Sequence, residues 1–281
     1  MALPDLSSSM YVAQLRFIQS LHESPERRNP DTFVQYFIPL IQRLRGVWVS
    51  RKKLSSLRAD PFYYYLVART IYYDHLINEA VSTGVRRIVS IGAGSDTRAY
   101  RFVQLLHGRG VRVVECDQAK AIFEKRRLAK RLGSYGHIEY LPIDLNAGSW
   151  PEFGGLLGNR SGPKTLVLME GVSPYIDYSS FSEFLLLLSR NLSRDSHVAY
   201  DFKVRGIKDD FGHTESTQRP FRLSSKRDEV ATFHEQRGLV LQNMELSSEM
   251  CARLLPSVAS SGAALFGEDG LLYLAVGGSS S

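Results

Sequence analysis

A glycine pair and two carboxylates stand at the ends of three successive apolar runs. The first run, "RRIVSI", closes on Gly92, Ala93 and Gly94, with "SDTR" directly after it. Glycine tolerates positive φ and lets a ligand lie against bare backbone. A helix opening at such a turn also offers free N–H groups and a positive dipole end. The same turn would serve any tight strand-to-helix reversal. The second run, "VRVV", leads into Glu115, Cys116 and Asp117. A carboxylate there can accept from both hydroxyls of a ribose, or can cap the next helix. The third run, "HIEYLPI", ends at Asp144 and Leu145. Asp144 can accept from an exocyclic amine while the Leu145 N–H reaches a ring nitrogen, or Asp144 can shape a loop turn. In this order, at successive strand ends, the three features suit a nucleoside. The third glycine of the dinucleotide fingerprint is absent, Thr97 standing in its place, so the turn lacks the close packing that a pyrophosphate site uses. A nicotinamide dehydrogenase also leaves Asp144 unexplained.

Two further charged residues ask for partners. Glu170 ends "TLVLME", and an unpaired carboxylate at the end of a buried strand is costly; a ligand ammonium would satisfy it. Arg69, in "VART", can pair bidentately with a carboxylate or lie over the tyrosines around it. S-adenosylmethionine, an adenosine carrying an amino-acid arm and no pyrophosphate, matches all of these groups. Candidates for a base are Asp201 in "YDF" and His213 in "FGHTE", whereas His234 sits in an amphipathic helix pattern and reads as structural. A serine hydrolase is excluded for want of a G-x-S-x-G elbow. The two cysteines, Cys116 and Cys251, form neither a disulfide framework nor a metal cluster.

These residues must be positioned by alternating elements. From Arg86 onward, strand-like and helix-like segments alternate: "RRIVSI", "DTRAYRFVQLLHG", "VRVVEC", "QAKAIFEKRRLAKRLG", "HIEYLPI", "TLVLME", "SSFSEFLLLLSRNL", "SHVAYDF", "SSKRDEVATFHEQRG", "LVLQNME" and "GLLYLAV". Such alternation predicts a mainly parallel sheet with helices on both faces, and ligands beyond the carboxyl ends of its strands. Residues 1–85 read instead as a helical cap, with helices near 9–22, 31–45 and 62–83; residues 86–281 form the core, with 203–223 as a candidate lid. The chain has 281 residues, 43% hydrophobic and 23% charged, with a net charge of +6. That is ordinary globular composition. The basic run "EKRRLAKR" fits a solvated helix face, and no aromatic-interleaved basic strand points to RNA. No run is long enough to span a bilayer, and the N-terminus lacks a signal-peptide pattern. A cytoplasmic protein with neither nucleic-acid nor membrane partners is expected.

The segments "YYYLVARTIYYDHLI", "VSIGAGSDTRAYRF", "VECDQAKAIFEKRRL", "IDLN" and "LVLMEGVSPYI", in this order, resemble the leucine carboxyl methyltransferase-like family. The likeness is strongest from Tyr63 to Phe202, and G-A-G-x-D-T-R is its most specific part. It implies an α/β, Rossmann-like class I methyltransferase fold, with a mainly parallel seven-stranded sheet, and S-adenosyl-L-methionine as cofactor. Arg69 is similar to the arginine that holds the methionine carboxylate, with Arg16 in "LRF" as a second basic residue. Gly92, Ala93 and Gly94 match the loop under the methionine moiety, Asp117 the ribose acid, and Asp144 with Leu145 the adenine contacts. Glu170 matches an acid beside the methionine ammonium, and Tyr175 an aromatic near the transfer centre. Tyr175, Asp201 and His213 are the catalytic candidates. The implied function is O-methylation of a carboxylate, hydroxyl or enol oxygen on a small molecule, of the kind used in secondary metabolism. The alternatives are carboxyl methylation of a protein or peptide terminus, and a catalytically silent adenosine-binding protein. The oligomeric state is left open.

Overall fold

The computed structural model describes residues 8–133, 135–148, 150–208, 211–212 and 217–277. The cap holds α1 (Ser8–His22), α2 (Leu40–Val47), α3 (Arg51–Arg58) and α4 (Pro61–Ser82). Next come β1 (Arg87–Ile91), α5 (Arg98–Arg101), α6 (Val103–Gly108), β2 (Arg112–Asp117), α7 (Ala119–Ala129), β3 (Ile138–Pro142), α8 (Pro151–Leu157) and β4 (Thr165–Met169). The remainder is α9 (Tyr178–Asn191), β5 (His197–Val204), β6 (Arg222–Leu223), α10 (Arg227–Glu235), β7 (Leu239–Leu246), α11 (Ser247–Leu254), α12 (Pro256–Ala259) and β8 (Asp269–Val276).

The sheet runs β3-β2-β1-β4-β5-β8-β7, and the two-residue β6 pairs with β5. The strands from β3 to β5 are parallel, while β8 is antiparallel to both β5 and β7. The expected class is found, with a short eighth strand added to the seven. Alternate residues of the central strands feed two cores, as strand geometry requires. Ile88, Val113, Leu166 and Leu168 pack with α4 and α11; Val89, Val114, Val167 and Met169 pack with α8 and α9. α9 buries Phe181, Phe184, Leu185 and Leu188, the i, i+3, i+4, i+7 stripe of a core-facing helix.

Packing crosses the boundary proposed at residue 85. Tyr63, Tyr65 and Tyr73 of α4 are buried in the same core as Ile88 of β1 and Leu271 of β8. Tyr65 stacks on Phe266 at 4.5 Å, and its O–H donates to Asp269 at 2.7 Å.

Three local expectations need correction. The helix expected over 31–45 is split, because Pro39 lacks an N–H and starts α2 rather than continuing an earlier helix. The helix expected after the glycine turn breaks at Phe102 (φ −94°, ψ 18°) into α5 and α6. The basic face of α7 is not wholly solvated: Lys125 is 2% exposed and its Nζ lies 2.7 Å from Glu115. Glu115 is thus committed inside the core to Lys125 and Tyr100, and burial raises its carboxyl to about 7 against the pull of Lys125.

Candidate active site

A cavity of about 540 Å³ opens beyond the carboxyl ends of β1, β2, β4 and β5, roofed by α1 and α4. That is the size range of small-molecule and cofactor sites. Gly92, Gly94, Asp117, Asp144, Leu145, Glu170, Tyr175, Asp201, Arg16 and Arg69 all line it. The sequence spreads these groups over most of the chain, and the sheet brings them to one edge.

The two glycines do different things. Gly92 has φ +65°, and a Cβ there would come 2.3 Å from Cγ2 of Val172. What fills its missing side-chain space is the protein itself, on the loop after β4. Gly94, at φ +29°, has room for a Cβ at ordinary contact, 3.7 Å from Asp117 Oδ2; its need is conformational. The Gly94 N–H donates to Asp117 Oδ2 at 2.8 Å, and the Gln118 N–H to Oδ1 at 2.7 Å. Asp117 thus pins the turn from the next strand end. Ala93 is buried, and its carbonyl accepts from Lys125 Nζ at 3.0 Å. Asp144 is exposed at the cavity edge; its carboxylate accepts from the Asn146 N–H and its carbonyl from Trp150 Nε1. Leu145 beside it is buried.

The arginines are paired in a buried chain of charges. Arg69 Nη1 donates to Asp201 Oδ2 at 2.9 Å, and its Nε lies 3.1 Å from Glu170 Oε1. Arg98 Nη1 donates to Glu170 Oε2 at 2.7 Å and its Nε to Asp74 Oδ1 at 2.8 Å. Arg101 forks onto both oxygens of Asp74. Arg16 pairs with Asp31 at 3.0 Å and donates to the carbonyl of Ser95. Buried charges need such partners, since desolvation is otherwise uncompensated. Among the described residues, Nε of Arg16 is buried without a hydrogen-bond partner, whereas Nε of Arg69 faces Glu170 at ion-pair distance without hydrogen-bond geometry.

The surrounding charges set the carboxylates apart. Burial pushes Glu170 up, but Arg98, Arg69 and Arg16 outweigh it and hold the carboxyl below its usual range. For Asp96 the same contest, won by Arg98 and Lys125, holds the carboxyl well below that range. Asp201 goes the other way: burial, with help from Asp269 and Glu170, raises it to about 6 despite Arg69. Its two oxygens are engaged, Oδ2 by Arg69 and Oδ1 by the Gly171 N–H at 2.7 Å.

One end of the cavity is aromatic. The Tyr175 ring stands 5.7 Å from Phe211, and its carbonyl accepts from Asn146 Nδ2 and Thr217 Oγ1. Phe62, Phe202, Lys203 and Asp269 also line the cavity. Lys203 Nζ is 2.8 Å from Asp269 Oδ1 and 3.2 Å from Glu268 Oε2, over the rings of Phe211 and Phe266. His213 lies outside the described residues. His234 is far from this wall in role: it is fully buried, bonded to Tyr200 and to the Val230 carbonyl.

Sequence reasoning missed Arg98, Lys203 and Asp269. Arg98 belongs to the most specific motif in the chain, and its adjacency to Asp96 was a usable signal. Lys203 and Asp269 carry no local signal, because β5 and β8 meet only in the folded sheet.

Comparison with known proteins places these features in context. A family model described as leucine carboxyl methyltransferase matches residues 9–187. A protein of Frankia alni, named for S-adenosyl-L-methionine-dependent methyltransferase activity, is 28% identical over 148 residues, 52% of this chain and 50% of that one. A Streptomyces avermitilis protein of the same description is 24% identical over 212 residues, 73% of this chain and 72% of the other. The chain thus spans about half the length of the Frankia alni relative and of a similar one from Mycobacterium ulcerans. Among solved structures, magnesium protoporphyrin IX methyltransferase from Synechocystis with bound SAH aligns at 13% identity and a TM-score of 0.46, over 84% of this chain and 98% of that one.

Proposed function

We propose a function from one premise: the chain belongs to the leucine carboxyl methyltransferase family. Its cofactor is S-adenosylmethionine. In our reading it is a methyltransferase that transfers the methyl group to an oxygen of a small molecule. The observation that carries this reading is the single cavity shared by Gly94, Asp117, Asp144, Glu170, Arg16 and Arg69.

The residues fit the cofactor on the chemistry of their donors. Arg16 and Arg69 line the cavity, and among the described residues Nε of Arg16 is buried without a hydrogen-bond partner, which suits a carboxylate. Glu170 is held ionised by its arginines and suits an ammonium. Asp117 and Asp144 would accept from ribose hydroxyls and the adenine amine through the lone pairs that a single backbone N–H on each bonded oxygen leaves open, and the Leu145 N–H would meet a ring nitrogen. When bound, the cofactor supplies a methyl group already activated on a sulfonium. The chain's own work is to hold the acceptor oxygen in line and to exclude water.

An ionised acceptor, a carboxylate or an enolate, fits best. Such an oxygen needs no proton removed. Among the described cavity residues, the candidate base Asp201 has both oxygens committed to Arg69 and Gly171, and we read it as positioning Arg69. The Lys203 ammonium lies at the cavity wall within ion-pair distance of Glu268 and Asp269, and we assign it to the acceptor oxygen. Tyr175 and Phe211 would form the wall against an acceptor's apolar part.

The test is transfer from deuterium-labelled S-adenosylmethionine to a panel of carboxylic acids, enols, phenols, amines and peptide C-termini. The expected product carries the label on oxygen of a small molecule, and release of methanol by mild base marks an ester. Label on nitrogen or carbon, or on peptide termini alone, overturns the proposal.

A further inference from the structure

Between Asp31 and Asp60 the chain has no acidic residue and six basic ones: Arg43, Arg45, Arg51, Lys52, Lys53 and Arg58. Their charge equals the +6 of the whole protein. This segment holds α2 and α3, and α2 is turned the wrong way for a helix in water. Its buried residues are Gln42 and Gly46. Gly46 is wedged so closely against α1 that a Cβ would lie 2.7 Å from the Phe17 ring, and the Gly46 carbonyl meets the His22 ring at 2.8 Å. The apolar side faces outward instead. Leu40 is 62% exposed, Ile41 56%, Leu44 47%, Val47 46% and Trp48, just past the helix end, 81%. A surface helix normally buries its apolar stripe, and a contiguous exposed patch of large apolar groups marks an interaction site.

The charges say what covers it. Arg45, Arg51, Lys52 and Lys53 are exposed beside the patch. A two-fold contact between copies would set each basic cluster against its own image, which like-charge repulsion opposes. An anionic lipid surface accepts both features together: apolar side chains with a tryptophan enter the headgroup boundary, and lysines and arginines meet the lipid charge. Among the described residues no helix is long and apolar enough to cross a membrane, but lying in the interface requires only one apolar face. We propose that α2 and the start of α3 dock this protein on anionic bilayers, with Leu40, Ile41, Leu44, Val47 and Trp48 inserted and the basic residues at the headgroups.

The test is co-sedimentation of the whole chain with phosphatidylcholine vesicles, with and without about 30 mol% phosphatidylglycerol, at low and high salt. Binding is expected to the anionic vesicles at low salt and to weaken steeply at high salt. Lys52→Gln with Lys53→Gln should lower partition by about thirtyfold. Leu44→Ser with Trp48→Ser should abolish it while circular dichroism stays unchanged, since both side chains are exposed. Tryptophan emission should shift to the blue on binding; Trp48 reports this, because the other tryptophan, Trp150, is 7% exposed. Three results would overturn the docking surface. They are no partition into anionic vesicles at low salt, equal partition by the serine variant, or a dimer in sedimentation velocity that the serine variant disperses.

Discussion

At the scale of single residues, the glycine turn shows how a motif can be read correctly in place and differently in cause. Gly92 is bare because Val172 occupies the space, so its first role is packing between two strand-end loops. Gly92→Ala should cost about 2–4 kcal/mol of stability, from overpacking plus a left-handed backbone. Adding Val172→Ala removes the offending Cγ2 and leaves Cβ 3.6 Å away, so denaturant melts should show part of the loss restored. No recovery would mean the clash is not the cause. Asp117→Asn should weaken S-adenosylhomocysteine binding by about tenfold or more, the loss of one charge-assisted bond, measured by calorimetry. An unchanged dissociation constant would remove Asp117 from the ribose role. Arg69→Ala is a poorer probe: it strands Asp201 and Glu170 as buried carboxylates, a loss of about 3–5 kcal/mol in stability that would mask any effect on binding. The candidate site could be read from sequence where a residue ends a strand, as Asp117, Asp144 and Glu170 do, since strand ends follow from local periodicity. Lys203 was not found, because its partners Glu268 and Asp269 lie far along the chain, whereas Arg98 was missed although Asp96 beside it is a local partner.

At the scale of elements, α10 is tied to the sheet through a histidine that must stay neutral. His234 Nδ1–H donates to the Val230 carbonyl and Nε2 accepts from the Tyr200 O–H, both at 2.6 Å. Burial, with Arg237 adding to it and the Val230 carbonyl opposing, lowers the imidazole to about 4, below an unfolded value near 6.5. The folded pKa is depressed, so this contribution is complete above pH ~6.5 and is lost as pH falls toward about 4. The loss approaches about 3 kcal/mol. Denaturant melts between pH 7 and 4 should show it, and His234→Gln, which takes up no proton there, should show a shallower decline. An identical decline in the variant would refute the assignment. Long elements with strong periodicity, such as α4, α9 and the seven main strands, lie close to where sequence reading put them. The break at Phe102 and the two-residue β6 do not, since short elements are set by what they pack against.

At the scale of the whole molecule, a ligand that bridges several strand ends and the cap should stabilise everything it touches. At a hundredfold excess over its dissociation constant, S-adenosylhomocysteine should add about 2.7 kcal/mol and raise Tm by roughly 5 °C. NADH should leave Tm unchanged; a rise with NADH alone would point to a dinucleotide site instead. The order of strands and helices, the glycine turn and the acids that follow the strands were all decided by sequence, because a period of two or of 3.6 residues and the conformational range of glycine act over a few neighbouring residues. What only the tertiary structure decided is which charges meet and which faces stay open. Arg69 finds Asp201 132 residues away, Gly92 yields its space to Val172, and α2 turns Gln42 and Gly46 inward and its leucines outward. Those outcomes depend on distances through space, and no local pattern in the chain encodes them.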